Sequence, residues 1–210
     1  MALAEELDGP LLHRSGRAEP ARHAANGQQS LRTSVGDTKE KVSYALATDS
    51  KLQPVKLGLL SDTHGLLRPE ALAALEGCDH ILHMGDVGGN GILKDLARIA
   101  PVHAVRGNVD RTGSCSRLPE TDVLLFEGHY LYLLHDRAAL HLDPAAAKFS
   151  AVLYGHTHRP HIEWNRDVLY FNPGSCGPRR FELPVSVGTL TIAPDEKLQP
   201  EIVHLDIPTK

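Results

Sequence analysis

Between residues 55 and 105, short apolar runs alternate with helical stretches, and this restricts the fold more than any other feature of the chain. Val55-Lys56-Leu57-Gly58-Leu59-Leu60 reads as a strand, and Pro69 suits the first turn of a helix over 70–76. Ile81-Leu82-His83-Met84 reads as a second strand. Ile92, Leu93, Leu96 and Ile99 then recur at helical spacing, and Pro101 ends that helix before a third strand, Val102-His103-Ala104-Val105. Strands and helices at these intervals require parallel strands with right-handed crossovers. The second half has a different texture. Two hairpin signals stand out, 123–126 with 130–134 around Glu127-Gly128-His129, and 162–164 with 168–171 around Asn165-Arg166-Asp167. A further run lies at 151–154, and 185–190 and 202–207 alternate as strands with one buried face. A parallel half followed by an antiparallel half is most easily built as two stacked sheets with helices outside.

Residues 1–54 lack sustained periodicity and are expected to be a disordered or loosely docked extension, with a short helix possible over 2–7; residues 55–210 form the domain. The net charge of −4, with no cluster of Lys and Arg, gives no footprint for nucleic acid. No apolar run approaches a membrane span. Glu5, Glu6 and Asp8 stand where a secretion signal would need basic residues, so a cytoplasmic location is expected. Cys78, Cys115 and Cys176 form no C-x-x-C pair, which disfavours both a disulfide framework and a thiolate zinc site.

The chemistry collects at the ends of the strands. Leu60 leads to Ser61-Asp62-Thr63-His64, Met84 to Gly85-Asp86, and Arg106 to Gly107-Asn108; Leu134 leads to His135, and Tyr154 to Gly155-His156-Thr157-His158. In open α/β sheets the ligand crevice lies beyond the carboxyl ends of the strands. Gly85, Gly107 and Gly155 would let the chain turn sharply out of each strand. The fold would thus gather seven donors in one place: Asp62, His64, Asp86, Asn108, His135, His156 and His158. Seven are too many for one ion with an open position and suit two. Imidazole and oxygen donors without thiolate favour two divalent transition-metal ions, manganese first, with zinc, iron, nickel or cobalt as alternatives. Ions about 3.5–4 Å apart would clamp a phosphoryl group and generate hydroxide between them, with Asp86 the natural bridge.

The order D-x-H, G-D, G-N-x-D, a later lone His, and G-H-x-H resembles the calcineurin-like metallophosphoesterases. Asp62-Thr63-His64-Gly65, Gly155-His156-Thr157-His158 and Asn172-Pro173-Gly174-Ser175 place the likeness with the small bacterial and archaeal phosphodiesterases of the YfcE kind. The resemblance implies an α/β (α+β) fold, a four-layer α-β-β-α sandwich of two mixed sheets flanked by helices. It implies that Asp62, His64 and His158 hold one ion, Asn108, His135 and His156 the other, and Asp86 both. By the same likeness Asn108 touches a phosphate oxygen. Asn172 to Ser175 form a turn near the site, in which Gly174 either offers its N–H to the phosphate or simply ends a strand. Arg179 or Arg180 either reaches the substrate or faces solvent.

The chain departs from the family pattern twice. Many members have histidine between the asparagine and the following acid, and the small branch often has cysteine; here Val109 stands, which cannot donate a proton. Asp110 is therefore a candidate for that catalytic role, for a bond that orients a ligand, or for a turn cap. After His135, where glycine is usual, the chain has Asp136. The expected activity is metal-dependent hydrolysis of small or nucleotide-like phosphodiesters by a metal-bridged hydroxide. The alternatives are a phosphomonoesterase or nucleotide pyrophosphatase, or a binding scaffold like the retromer subunit that shares this fold. The expected partner is a small phosphodiester, and self-association into a homo-oligomer is open.

Overall fold

The structure, a computed structural model, describes residues 53–194 and 196–207. Apart from residues 53 and 54, the expected extension and its helix lie outside the described residues. The first half runs β1 (Val55–Leu60), α1 (Pro69–Leu75), β2 (His80–His83), α2 (Asn90–Leu96) and β3 (Val102–Ala104). The second runs β4 (Thr121–Phe126), β5 (His129–Leu134), β6 (Ala151–Leu153), β7 (His161–Asn165), β8 (Val168–Asn172), β9 (Ser186–Ile192) and β10 (Gln199–His204).

Alternation along the strands divides the core in two. Leu57 and Leu59 of β1 join Leu82, Met84, Leu190 and Ile192 in a layer shared with Leu131, Leu133, Leu153 and Phe171 of the other sheet. Leu60 and Ile81 face outward, onto Ala71 and Leu75 of α1 and Ile92 and Leu96 of α2. Burying each leucine is worth about 1.5–3 kcal/mol relative to leaving it exposed. Gly58 sets the approach of α1, since a Cβ there would stand 2.5 Å from the Leu75 side chain.

The first sheet has the order β10-β9-β1-β2-β3, with β1, β2 and β3 parallel and the last two strands antiparallel. β10 begins three residues earlier than its alternation suggests and includes Pro200. As the edge strand it loses nothing by proline's missing N–H.

The second sheet has the order β4-β5-β6-β8-β7, and both expected hairpins form. It is not antiparallel throughout: β5, β6 and β8 run parallel. Residues 135–150 carry the chain back so that β5 and β6 end at the same edge. Had they been antiparallel, His135 and His156 would lie at opposite ends of the sheet.

Two mixed sheets with helices outside thus match the expected sandwich. Over the second sheet, the outer layer among the described residues is a 3-10 turn (Arg137–Ala139) and the segment up to 149 rather than an α-helix. It covers Leu134, Val152, Tyr154, Val168 and Tyr170, with the Arg137 guanidinium 4.2 Å from the Tyr170 ring centre. The three cysteines are free and buried. Among the described residues, no helix is long and apolar enough to cross a membrane.

Candidate metal centre

Beyond Leu60, β1 gives way to Ser61 and to Asp62, whose backbone is left-handed (φ 56°) and whose N–H donates to the Gly85 carbonyl at 3.0 Å. This turn buries the Asp62 carboxylate. Its Oδ2 accepts from Ser61 Oγ at 2.7 Å and from the His156 N–H at 3.0 Å. Among the described residues its Oδ1 has no hydrogen-bond partner. His158 Nε2 stands 3.3 Å from that oxygen but out of line for a hydrogen bond, and His64 Nε2 stands at 3.8 Å. The two rings stack with centroids 5.2 Å apart and their Nε2 atoms separated by 3.3 Å. At most one proton fits between those nitrogens, so a bare carboxylate oxygen and at least one ring lone pair converge. A cation satisfies all three groups.

Asp86 stands between this trio and a second group. Its Oδ1 accepts from the Val109 N–H at 2.9 Å. Its Oδ2 lies 3.8 Å from His64 Nε2 and 3.4 Å from His135 Nε2. His135 Nδ1 faces the Met84 carbonyl at 2.7 Å and must donate to it, which leaves Nε2 as the donor atom for a cation. That Nε2 is 3.0 Å from Asn108 Oδ1, which in turn lies 3.1 Å from Nδ1 of the exposed His156. Among the described residues, two groups could therefore hold metal: Asp62, His64 and His158, and Asp62, Asp86 and His135. Asn108 and His156 lie at the border of the second, so all seven expected donors come together. Asp62 joins Asp86 in facing both groups.

The carboxylates are poised to bind. Burial opposes the charge on Asp62, but nearby His158 and the Ser61 hydroxyl outweigh it and lower the pKa. Burial also opposes the charge on Asp86, yet His135 and the Val109 N–H hold its carboxyl down to about 2. Burial lowers the pKa of His64. For His135, burial is overcome by Asp86 and the Met84 carbonyl, and the pKa rises.

The scaffold shows where this geometry is forced. Asp62, His64, Asp86, His156 and His158 all have positive φ, between 46° and 70°. Such backbone is costly for residues other than glycine and concentrates at functional sites. Gly85 also has positive φ, as expected, but no positive φ accompanies Gly107 and Gly155. Those two are needed for space: a Cβ on Gly107 would lie 2.0 Å from Asp86 Oδ1, and one on Gly155 1.8 Å from Ser61 Oγ.

Several supporting residues take places the sequence left open. Asp110 is buried, and its carboxylate accepts from the N–H groups of Val87, Gly88 and Gly107 at 2.9–3.0 Å. It ties the loop after β2 to the loop after β3. Gly174 is not turned to the donors, because its N–H donates to Asn172 Oδ1 at 2.9 Å. The Asn172 amide donates to the Gly155 carbonyl and to Thr157 Oγ1, bracing the turn that presents His156 and His158. Arg180 reaches the site, its Nη2 lying 3.2 Å from His64 Nε2, whereas Arg179 bonds the Ile207 carbonyl. Behind the donors, buried His83 accepts from the Gly85 N–H and donates from Nε2 to Thr63 Oγ1, whose hydroxyl donates to the Val87 carbonyl. Of these, Ser61 and His83 were visible only as neighbours of donors.

Comparison with known proteins gives a consistent pattern. Residues 55–195 match the calcineurin-like phosphoesterase superfamily domain. A probable metallophosphoesterase of Methanocaldococcus jannaschii is 32% identical over 163 residues, 71% of this chain and 81% of its own. Phosphodiesterase YfcE of Escherichia coli K12 is 33% identical over 165 residues, 65% of this chain and 87% of its own. Among solved structures, an archaeal phosphodiesterase aligns with a TM-score of 0.61 at 24% identity, covering 72% of this chain and 100% of that one. Zinc-complexed Vps29 of Entamoeba histolytica aligns with a TM-score of 0.56 at 23% identity, covering 71% and 99%.

Proposed function

We propose that this chain, which belongs to the calcineurin-like phosphoesterase superfamily and is a hydrolase of phosphoester bonds, cleaves small or nucleotide-like phosphodiesters with two divalent cations held by the strand-end donors. The observation that supports this best is the convergence at Asp62 and Asp86. Two buried carboxylates face four imidazoles and an amide oxygen, and one carboxylate oxygen has no hydrogen-bond partner among the described residues. Asp62, His64 and His158 would hold one cation, His135, Asn108 and His156 the other, with Asp86 facing both. When bound, such a pair supplies Lewis acidity toward the phosphoryl group and acidifies water; manganese is the first choice.

The chain's own residues do the rest. Asn108 is exposed in the crevice, and its amide nitrogen would donate to a phosphoryl oxygen. Arg180 adds a guanidinium on the His64 side, suited to a second phosphoryl oxygen. Asp110 acts as a positioning residue: with three backbone N–H groups on its carboxylate, it fixes the loops that present Asp86 and Asn108. That relatives carry the name phosphodiesterase supports the diester reading over the monoester or anhydride one. The likeness to Vps29 supports the scaffold reading at the level of fold.

Metal-stripped protein reconstituted in turn with manganese, zinc, iron, nickel and cobalt should be assayed on a panel of diesters, monoesters and nucleotide anhydrides. The expected result is diester hydrolysis restored by metal, manganese foremost. Asp86→Asn should cost at least about 10²-fold, since it alters a ligand shared by both cations and not merely an outer partner. Preference for monoesters or anhydrides would transfer the reading to those substrates. Full metal loading without turnover, together with a stable protein partner in pull-down, would favour the scaffold.

A further inference from the structure

We propose that the groove beside Asn108 and His135 is the seat for the ester arm that stays on the phosphate, and that it takes an arm bearing a flat ring of nucleoside size. This rests on the phosphodiesterase reading above. The groove has a volume of about 650 Å³ and lies between the loop after β3, the start of β4 and the turn that follows His135. That volume falls within the range of small-molecule sites. Two of its wall residues are themselves donors, Asn108 and His135, so a phosphoryl group held there has the groove as its continuation. The neighbouring cavity around Arg137 and Arg159 contains none of the seven donors, and its Arg137 is engaged by Glu163 at 2.8 Å.

The chemistry of the walls selects the arm. Tyr132 and Leu134 of β5 and the exposed Leu142 give the groove apolar surface beside its charged lining of Arg106, Glu120 and Asp136. Such surfaces suit the face of an aromatic ring. Arg111 donates from Nε to the Asn108 carbonyl at 2.8 Å, which fixes its guanidinium at the groove wall and leaves its terminal amino groups for hydroxyl or carbonyl acceptors on the arm. His141 adds a further polar edge. The departing arm goes the other way. Val109 supplies no proton and the residue is 45% exposed, so a leaving oxygen on that side of Asn108 would meet water.

The test compares two diesters that release the same p-nitrophenolate from the manganese-loaded full chain: the p-nitrophenyl ester of thymidine 5′-monophosphate and methyl p-nitrophenyl phosphate. The native chain should favour the thymidine ester in kcat/KM by about tenfold or more, the scale of a well-formed apolar contact. Ala139→Trp fills the groove and Leu142→Glu puts a carboxylate on its rim. Both positions are surface-exposed, and each substitution should bring the ratio close to one. Calorimetry provides a readout independent of turnover: thymidine 5′-monophosphate should bind the native chain about tenfold tighter than inorganic phosphate, an advantage both variants lose. A ratio unmoved by both substitutions, or nucleotide binding no tighter than phosphate, overturns the groove assignment alone. Failure to cleave either diester in fully metal-loaded protein removes the phosphodiesterase reading and the groove with it.

Discussion

Val109 takes part in the site through its backbone only: its N–H donates to Asp86 Oδ1 while its side chain faces the crevice rim. Substituting it leaves that hydrogen bond in place. Val109→His should therefore add a proton donor without dismantling the centre, raising turnover of alkyl phosphomonoesters by up to about 10²–10⁴-fold. No gain in metal-saturated, folded protein would mean that another residue already delivers the proton. His83 bears on stability instead. Burial lowers its pKa to about 4, against an ordinary value near 6.5, so the folded chain resists protonating it. Its contribution is complete above about pH 6.5 and is lost as the pH falls from there through about 4, amounting to at most about 3 kcal/mol. Denaturant unfolding of metal-free protein at pH 7 and pH 5 should show a shallower acid loss in His83→Gln than in the native chain. At this scale the donors were legible because carboxylate and imidazole recur at the end of one strand after another, an arrangement that an apolar core never requires. Asp110 was legible only as a choice among a catalytic role, an orienting bond and a turn cap, since two of its three partner N–H groups lie on another loop, 22 and 23 residues away.

Glycines show how far local sequence reaches at the scale of elements. Gly85, Gly107 and Gly155 all precede donors and look alike in sequence, as sharp turns out of strands. Only Gly85 has the positive φ that reading requires; the other two leave room for atoms from a different strand end. Gly155→Ala would press a methyl group against Ser61 Oγ and to within 3.0 Å of Asp62 Oδ2. It should lower metal affinity, measured by calorimetry, by about 10–100-fold, the range for disturbed second-layer partners of a ligand. Strands were mostly legible from their alternation, as were both hairpins. The parallel run of β5, β6 and β8 was not, because direction depends on where the connecting segments cross and no local pattern records that. The start of β10 was hidden by Pro200, which looks like a strand breaker until its place at a sheet edge is known.

For the molecule as a whole, the seven candidate donors come from both sheets, so a cation held by them would cross-link the sandwich. Ligand that binds only the folded state stabilises it by mass action. Manganese at about a hundred times its dissociation constant should add about 2.7 kcal/mol, a rise of roughly 5–10 °C in Tm for a domain of this size. Calorimetric scans with and without metal check this, and Asp86→Asn should show a smaller rise.

β1 lies in its sheet between β2 and β9, so one of the earliest strands in the described chain is flanked by one of the last. On the ribosome, the first half must therefore wait with an unzipped edge until residue 192 has emerged, and only then can its sheet be completed. All seven donors lie upstream of that point. They will be outside the exit tunnel before β9 can pair with β1, so a cation held by all seven would meet a completed sheet only after that pairing.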